Sequence, residues 1–297
     1  MLFKRHKSVI YDLMLHRAFL AVAFASVMIL FLIMIFLFKE GIPVFEMVTV
    51  GDFLLGTEWY PTSEPERFGA FPLIIASLFV TLIACLVAIP LSLSIAIYLS
   101  ELAQPVLREI IKPTIEIIAS IPSVVIGFFG MVVVAPFLQN QFNLDTGLNA
   151  FNASIMLAFM AIPTIASISE DAISSVPMEL KEASYALGAN RWQTIFHITL
   201  PASLSGIWTA IILGISRVIG ETMVVLMVAG GATTLPTAIF DPVRPLTANI
   251  AAEMAEAPYQ SDHYHALFAI GIILFVITFI FNILADYLSN KYKFKEN

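Results

Sequence analysis

The chain has 297 residues, of which 59% are hydrophobic and 12% charged, with a formal net charge of -7 and a mean hydropathy of +0.90. Water-soluble domains carry about 25% charged residues, so a fold that keeps this much apolar surface away from water is excluded and the solvent must be lipid. The acidic balance, answered by no basic patch, gives no ground for a nucleic-acid partner, and the single cysteine, Cys85, excludes an internal disulfide and reads as a membrane-buried thiol.

A bilayer core about 30 Å thick takes about 20 apolar helical residues to cross, and six runs reach that length. The first is 18–38. It exceeds the roughly 7–15 apolar residues of a secretory signal and is followed by polar Lys39 and Glu40 rather than a small-residue cleavage site, so it reads as a retained signal anchor. The outer loop 39–67 is rich in acids, holds adjacent Trp59 and Tyr60, and is expected to pack as a small cap. The second run, 68–100, is too long for one straight crossing and should begin outside the membrane. Pro90 within it removes a backbone donor and is expected to kink the helix. The third run is 113–138, with Glu116 near its start. A short loop rich in Asn and Gln, 139–149, leads to the fourth run, 150–169. The fifth, 203–229, is interrupted by Arg217 and Glu221. The outer loop 230–265 contains a helix-like stretch, 248–257. His263 and His265 in that loop lack a clear third ligand and read as solvated loop residues rather than a metal site. The sixth run is 266–285.

Lys and Arg mark the inner side of a membrane protein. With six spans and the N-terminus inside, the inner segments hold Lys4, Arg5, Lys7, Arg17, Arg108, Lys112, Lys181, Arg191, Lys291, Lys293 and Lys295. The outer loops hold only Lys39, Arg67 and Arg244, and Arg217 lies within a span. Five or seven spans would place one basic tail outside, so both termini are expected in the cytoplasm. The fold class is all-α and polytopic. Its segments are 1–69 (tail, first helix and outer loop), 70–290 (a five-helix transmembrane domain with an inner loop at 170–201) and 291–297 (a cytoplasmic tail). The chain has no Gly-x-x-x-x-Gly-Lys-Ser/Thr loop, no Gly-x-Ser-x-Gly elbow and no His-Glu-x-x-His. It is therefore not expected to be an enzyme, and any ATP it uses must be hydrolysed by another subunit.

The inner loop is the most informative segment. Pro177 suits the first turn of a helix, a helical pattern runs from Met178, and Gly188 falls where a helix stops and turns. Two short helices along the inner membrane face, with an exposed apolar stripe, fit this pattern. Glu182-Ala183-Ser184, three residues, Gly188, nine residues, Ile198, one residue and Leu200-Pro201 resemble the EAA loop of bacterial ABC importer permeases at every spacing, with Ser184 in place of the third Ala. The resemblance implies a permease fold of the MetI-like type and a coupling helix that docks into an ATPase subunit, with Glu182, Ala183, Ser184, Gly188, Leu200 and Pro201 as its positions.

In the fifth run, Arg217 and Glu221 are four apart and are expected one turn above the other on a continuous helix. A charge near mid-membrane costs about 2.5–3.5 kcal/mol on insertion scales and marks function by default. A guanidinium presents a planar fork suited to oxyanions. Glu221 is expected to neutralise Arg217 when the path is empty and to accept a hydrogen bond from hydrogen phosphate. Gly214 and Gly220 are expected to permit close helix packing or a bend. The stretches 120–130, 168–177, 182–195 and 216–231 resemble the permeases of phosphate-specific ABC importers, of the PstC type. That resemblance implies phosphate as substrate, Arg217, Glu221 and Thr222 on its pathway, no cofactor, and a prokaryotic inner-membrane location. The implied partners are a second, PstA-like permease, an ATPase dimer and an extracytoplasmic phosphate-binding protein. Physics alone leaves open another oxyanion (molybdate, sulfate, phosphonate) and a non-transport membrane sensor.

Overall fold

The computed structural model describes residues 2–291, with side chains described between Met14 and Tyr287 apart from residue 285. The expected inner bases Lys293 and Lys295, and the side chains of Lys4, Arg5, Lys7 and Lys291, lie outside the described residues. Among the described residues, six helical stretches are long and apolar enough to cross a bilayer: Met14–Glu46, Phe71–Leu102, Ser123–Phe142, Ala150–Ser174, Arg191–Ile219 and Asp262–Leu284. The fourth is the axis of the bundle and packs between the second and the fifth. Its small and flexible residues Ala153, Met156, Leu157 and Ala161 meet Ala76, Val80, Ala84 and Ala88 of the second span in one core, because small side chains let helix backbones approach where no hydrophobic force separates protein from lipid. Gly214 of the fifth span serves the same end: a Cβ there would stand 2.4 Å from Ile165 Cγ1. The first span is exposed from Phe19 to Phe36 apart from half-buried Met34. It meets the sixth near its C-terminal end through Phe36 and Phe268, whose rings lie 5.5 Å apart, and Phe38 and Phe275, at 6.2 Å.

The third run differs from its expected bounds. Residues 113–119 belong to a separate helix, Pro105–Ala119, in which no residue is buried, and the span itself begins at Ser123. Pro122 is the reason. It lacks an N–H and disfavours the α conformation in the residue before it, and its own ψ of 136° turns the chain between the two helices. The Pro105–Ala119 helix is amphipathic, with Arg108 and Lys112 on one face and exposed Val106, Ile110 and Ile117 on the other. The second run starts before its helix: Phe68 lies in a strand, and the helix runs Phe71–Ile97 with Pro90 inside it. The hydroxyl of Ser92 donates to Ala88 O at 2.6 Å and lies 3.1 Å from Ile162 O, tying the second span to the fourth. A π-helical turn, Tyr98–Leu102, ends it.

The first outer loop forms a cap over the bundle. It contains a 3-10 turn at Ile42–Glu46, a short helix at Val50–Leu55 capped by the Thr49 hydroxyl, and a two-residue pairing of Trp59–Tyr60 with Arg67–Phe68. Val44, Phe53, Trp59 and Phe68 bury their side chains against Leu73, Leu246, Leu267 and Ile270. The indole N–H of Trp59 donates to Glu253 at 3.0 Å, and the same carboxylate accepts from Arg244 Nη1 at 2.7 Å and His263 Nε2 at 2.9 Å. Both histidines thus depart from the solvated reading. His263 is buried, and His265 Nδ1 donates to Glu40 O at 2.7 Å, because the sixth helix begins at Asp262 and carries both in its first turn.

In the outer loop before that helix, the Asp241 carboxylate accepts from Thr237 N at 2.7 Å, Ala238 N at 2.8 Å and Thr237 Oγ1 at 2.8 Å. These bonds, the Thr237 amide first, hold its pKa below the ordinary 3.8. The loop carbonyls of Asp241 and Ile239 in turn accept from Ala150 N and Phe151 N at 3.0 and 2.9 Å, satisfying first-turn donors of the fourth span that have no partner within their own helix. A depressed carboxylate pKa stabilises above the unfolded value, and that contribution is lost as pH falls through the folded one. Amide-exchange protection at Thr237 and Ala238 is therefore expected to hold down to about pH 4, the ordinary carboxylate range, and to fall only at lower pH, and Asp241→Asn is expected to flatten that dependence. Protection that is constant with pH in the unaltered protein would remove the carboxylate from this role.

Candidate functional site

The fifth span is built in two pieces. Its helix runs Leu200–Ile219 and closes at Gly220, whose N–H donates to Ser216 O at 3.2 Å. Glu221 and Thr222 lie outside any helix, and a short helix, Met223–Val228, follows. Arg217 and Glu221 are therefore not one turn apart on a continuous helix, and the expected pairing between them is replaced by other bonds. Arg217 Nη1 donates to Thr164 Oγ1 of the fourth span at 3.1 Å. Glu221 Oε1 accepts from the backbone N–H groups of Met223 and Val224, at 3.1 and 3.3 Å, and its carbonyl accepts from Thr247 Oγ1 at 2.8 Å. The physical reason is local. Glycine is a weak helix former, and a carboxylate placed just before a new helix gains the orphan N–H groups of its first turn.

Arg217 is exposed, while Glu221 and Thr222 are half-buried. Among the described residues no carboxylate pairs with Arg217 within salt-bridge distance, and the Thr164 hydroxyl takes one of its five donors. Among the described residues its one hydrogen bond is to a neutral hydroxyl, which leaves guanidinium donors of the kind that bind oxyanions.

The inner loop folds as a helix, Met178–Ala186, a turn, and the inner end of the fifth span, which starts at Arg191 and runs through a π-helical turn, Ile195–Thr199, into Leu200–Ile219. The second of the two expected short helices is thus continuous with the span. Gly188 has φ +86° with nothing within 4 Å of a Cβ built on it, so its role is conformational: it turns the chain in the left-handed region that other residues enter at a cost of about 1–2 kcal/mol. Asn190 and Gln193 form a capping box on the next helix. Glu182 and Ala183 are exposed with Gly188 at the tip, beside Leu187, which is 90% exposed. Ser184 is buried, its hydroxyl 2.9 Å from Thr194 Oγ1, which accounts for a hydroxyl in place of alanine. Leu200 and Pro201 stand apart from the tip, in the first turn of the helix that carries Arg217.

A third cluster escaped the sequence reading. Glu170, near the C-terminal end of the fourth span, is 1% exposed. Its carboxylate pairs with Arg108 and, at 2.6 Å, with Lys112 Nζ, while Lys112 also lies 2.7 Å from Asp171. The Ser174 hydroxyl adds a bond at 2.8 Å. This clasp fixes the Pro105–Ala119 helix to the fourth span. The signal was present as two inner acids facing two inner bases without assigned partners, but no spacing rule joins residues about 60 positions apart.

Residues 88–294 match the family model described as binding-protein-dependent transport system inner membrane component. A Bacillus subtilis protein, the probable ABC transporter permease protein YqgH, is 38% identical over 88% of this chain and 85% of its own. Phosphate transport system permease proteins PstC of Mesorhizobium japonicum and Haemophilus influenzae are 35% and 34% identical, covering 80% and 81% of this chain and 77% and 81% of theirs. Among solved structures, a chain of a bacterial alginate ABC transporter superposes with a TM-score of 0.66 at 18% identity over 96% of both chains. A chain of the MetNI methionine transporter superposes with a TM-score of 0.59 at 20% identity, over 74% of this chain and 94% of that one.

Proposed function

Because the chain belongs to the family of binding-protein-dependent transport system inner membrane components, we propose that it forms one half of the translocation pathway of an ATP-driven phosphate importer. The observation that carries this reading is Arg217, an exposed guanidinium at the end of a broken membrane helix, bonded to Thr164 rather than to a carboxylate. The likeness to PstC proteins of two organisms supports phosphate as the anion. The other half of the path is a second, PstA-like permease facing Arg217, Glu221 and Thr222. Phosphate arrives from an extracytoplasmic binding protein, and both termini lie in the cytoplasm. A partner ATPase dimer holds the tip formed by Glu182, Ala183 and Gly188. Closure of the ATPase moves that tip, and the spans rock between inward-open and outward-open arrangements around the anion.

The test is ATP-dependent uptake of labelled phosphate into vesicles holding the full complex, against labelled sulfate and molybdate. Carriage of one of these instead of phosphate would keep the permease and discard the substrate. Glu221 gives a sharper handle on selectivity. Its carboxylate lies at the break and can accept the proton that hydrogen phosphate carries and sulfate lacks. Glutamine retains an oxygen for the two N–H groups of Met223 and Val224, so Glu221→Gln removes the charge and leaves the cap. Sulfate is then expected to compete about tenfold better, one charge-assisted hydrogen bond being worth about 1.5 kcal/mol. Unchanged competition would confine Glu221 to capping the short helix.

A further inference from the structure

The helix Met178–Ala186 has almost no apolar grip on the rest of the protein. Of its residues only Ser184 is buried, and Met178, Leu180 and Tyr185 are all exposed. A lever moved by a partner needs a stiff attachment, and packing does not supply it here. Two polar contacts do. One is the Ser184–Thr194 hydroxyl pair, which ties the helix to the start of the fifth span. The other is Lys181, three residues earlier and on the same face, whose Nζ lies 2.6 Å from Glu101 Oε1; the two side chains are 12% and 8% exposed. Glu101 lies in the π-helical turn that ends the second span, so the ion pair bridges 80 positions of sequence. A pair this well shielded from water is little screened by salt.

We propose that the Lys181–Glu101 pair is a strut that makes the coupling helix and the inner end of the second span move as one body, so that both the second and the fifth spans follow the ATPase. Lys181 and Glu101 are positioning residues; neither touches the anion. The inference rests on the permease reading above and is independent of which anion is carried.

The experiment uses the full complex in proteoliposomes, with Cys85→Ala and nitroxide labels at Gln104→Cys and Glu179→Cys, both exposed positions flanking the strut. Spin-echo distances are taken without nucleotide and after trapping with ATP and vanadate. With the strut intact, the distance is expected to stay within about 2 Å on trapping, while Lys181→Glu shifts it by about 5 Å, the size of one helical turn. In the same vesicles, substrate moved per ATP is expected to fall about tenfold in Lys181→Glu, with ATP hydrolysis retained. The exchanged pair, Lys181→Glu with Glu101→Lys, is expected to restore both readouts. A Lys181→Glu distance that behaves as in the unaltered protein overturns the strut, and so does a distance that shifts on trapping with the strut intact. Failure of the exchanged pair to recover, where each single variant assembles, overturns it as well. A constant distance with no phosphate uptake upholds the strut and fells phosphate as the substrate.

Discussion

Arg217→Gln is expected to lower ATP-dependent phosphate uptake by at least about 100-fold, with assembly of the complex and its ATP hydrolysis intact. The size follows from the bonds at stake. Each hydrogen bond from a guanidinium to an anion contributes about 1.5–3 kcal/mol, and tenfold corresponds to about 1.4 kcal/mol, so two bonds lost at the site of passage give two orders of magnitude or more. The fold tolerates the change, because Arg217 is exposed and its contact is a single bond to the Thr164 hydroxyl at 3.1 Å, which glutamine can replace. Arg217→Lys keeps the charge and loses the planar fork, so intermediate uptake is expected. Thr164→Val frees the guanidinium from its observed partner and is expected to change uptake far less. Normal uptake in Arg217→Gln would reduce Arg217 to a link between the fourth and fifth spans.

Stability is expected to depend most on the clasp at Glu170. Arg108→Met with Lys112→Met would leave a carboxylate that is 1% exposed with the Ser174 hydroxyl at 2.8 Å as its remaining side-chain partner. Breaking a buried ion pair from one side costs about 3–5 kcal/mol. The lower end applies, because Arg108 and Lys112 are 39% and 31% exposed and water already screens them. About 3 kcal/mol corresponds to a fall of roughly 5 °C in unfolding temperature for a chain of this size, read on the purified protein in detergent. Adding Glu170→Gln neutralises the stranded charge and is expected to recover most of the loss. A double variant with an unmoved unfolding temperature would sink the clasp as a source of stability. Hydrogen bonds to Asp171 first, and to Glu170, raise the pKa of Lys112 above its ordinary 10.5. Its contribution is thus fully present below pH 10.5 and is lost only as pH rises through the folded value.

The amino-acid sequence determined what depends on neighbours in the chain. Apolar runs of spanning length gave the six spans, since in lipid every backbone bond must close within the helix itself. Proline and glycine marked the helix ends at Pro177 and Gly188, because their constraints are local, and the spacing from Glu182 to Pro201 gave the inner loop and its resemblance. Pro122 held the same information about the start of the third span, and the apolar run over 113–138, in which Glu116 is the one charged residue, obscured it. The Arg217–Glu221 pairing failed for a related reason: a four-residue spacing describes one face only while the helix continues, and Gly220 ends it. What remained was decided by the tertiary structure. Thr164 beneath Arg217, the two bases on Glu170, Glu101 against Lys181, and His263 with Trp59 on Glu253 each join residues far apart in the chain. Helical periodicity states which way a side chain faces on its own helix. Which helix lies opposite is set by close packing of small residues along the fourth span, and only that packing brings a charge to its partner.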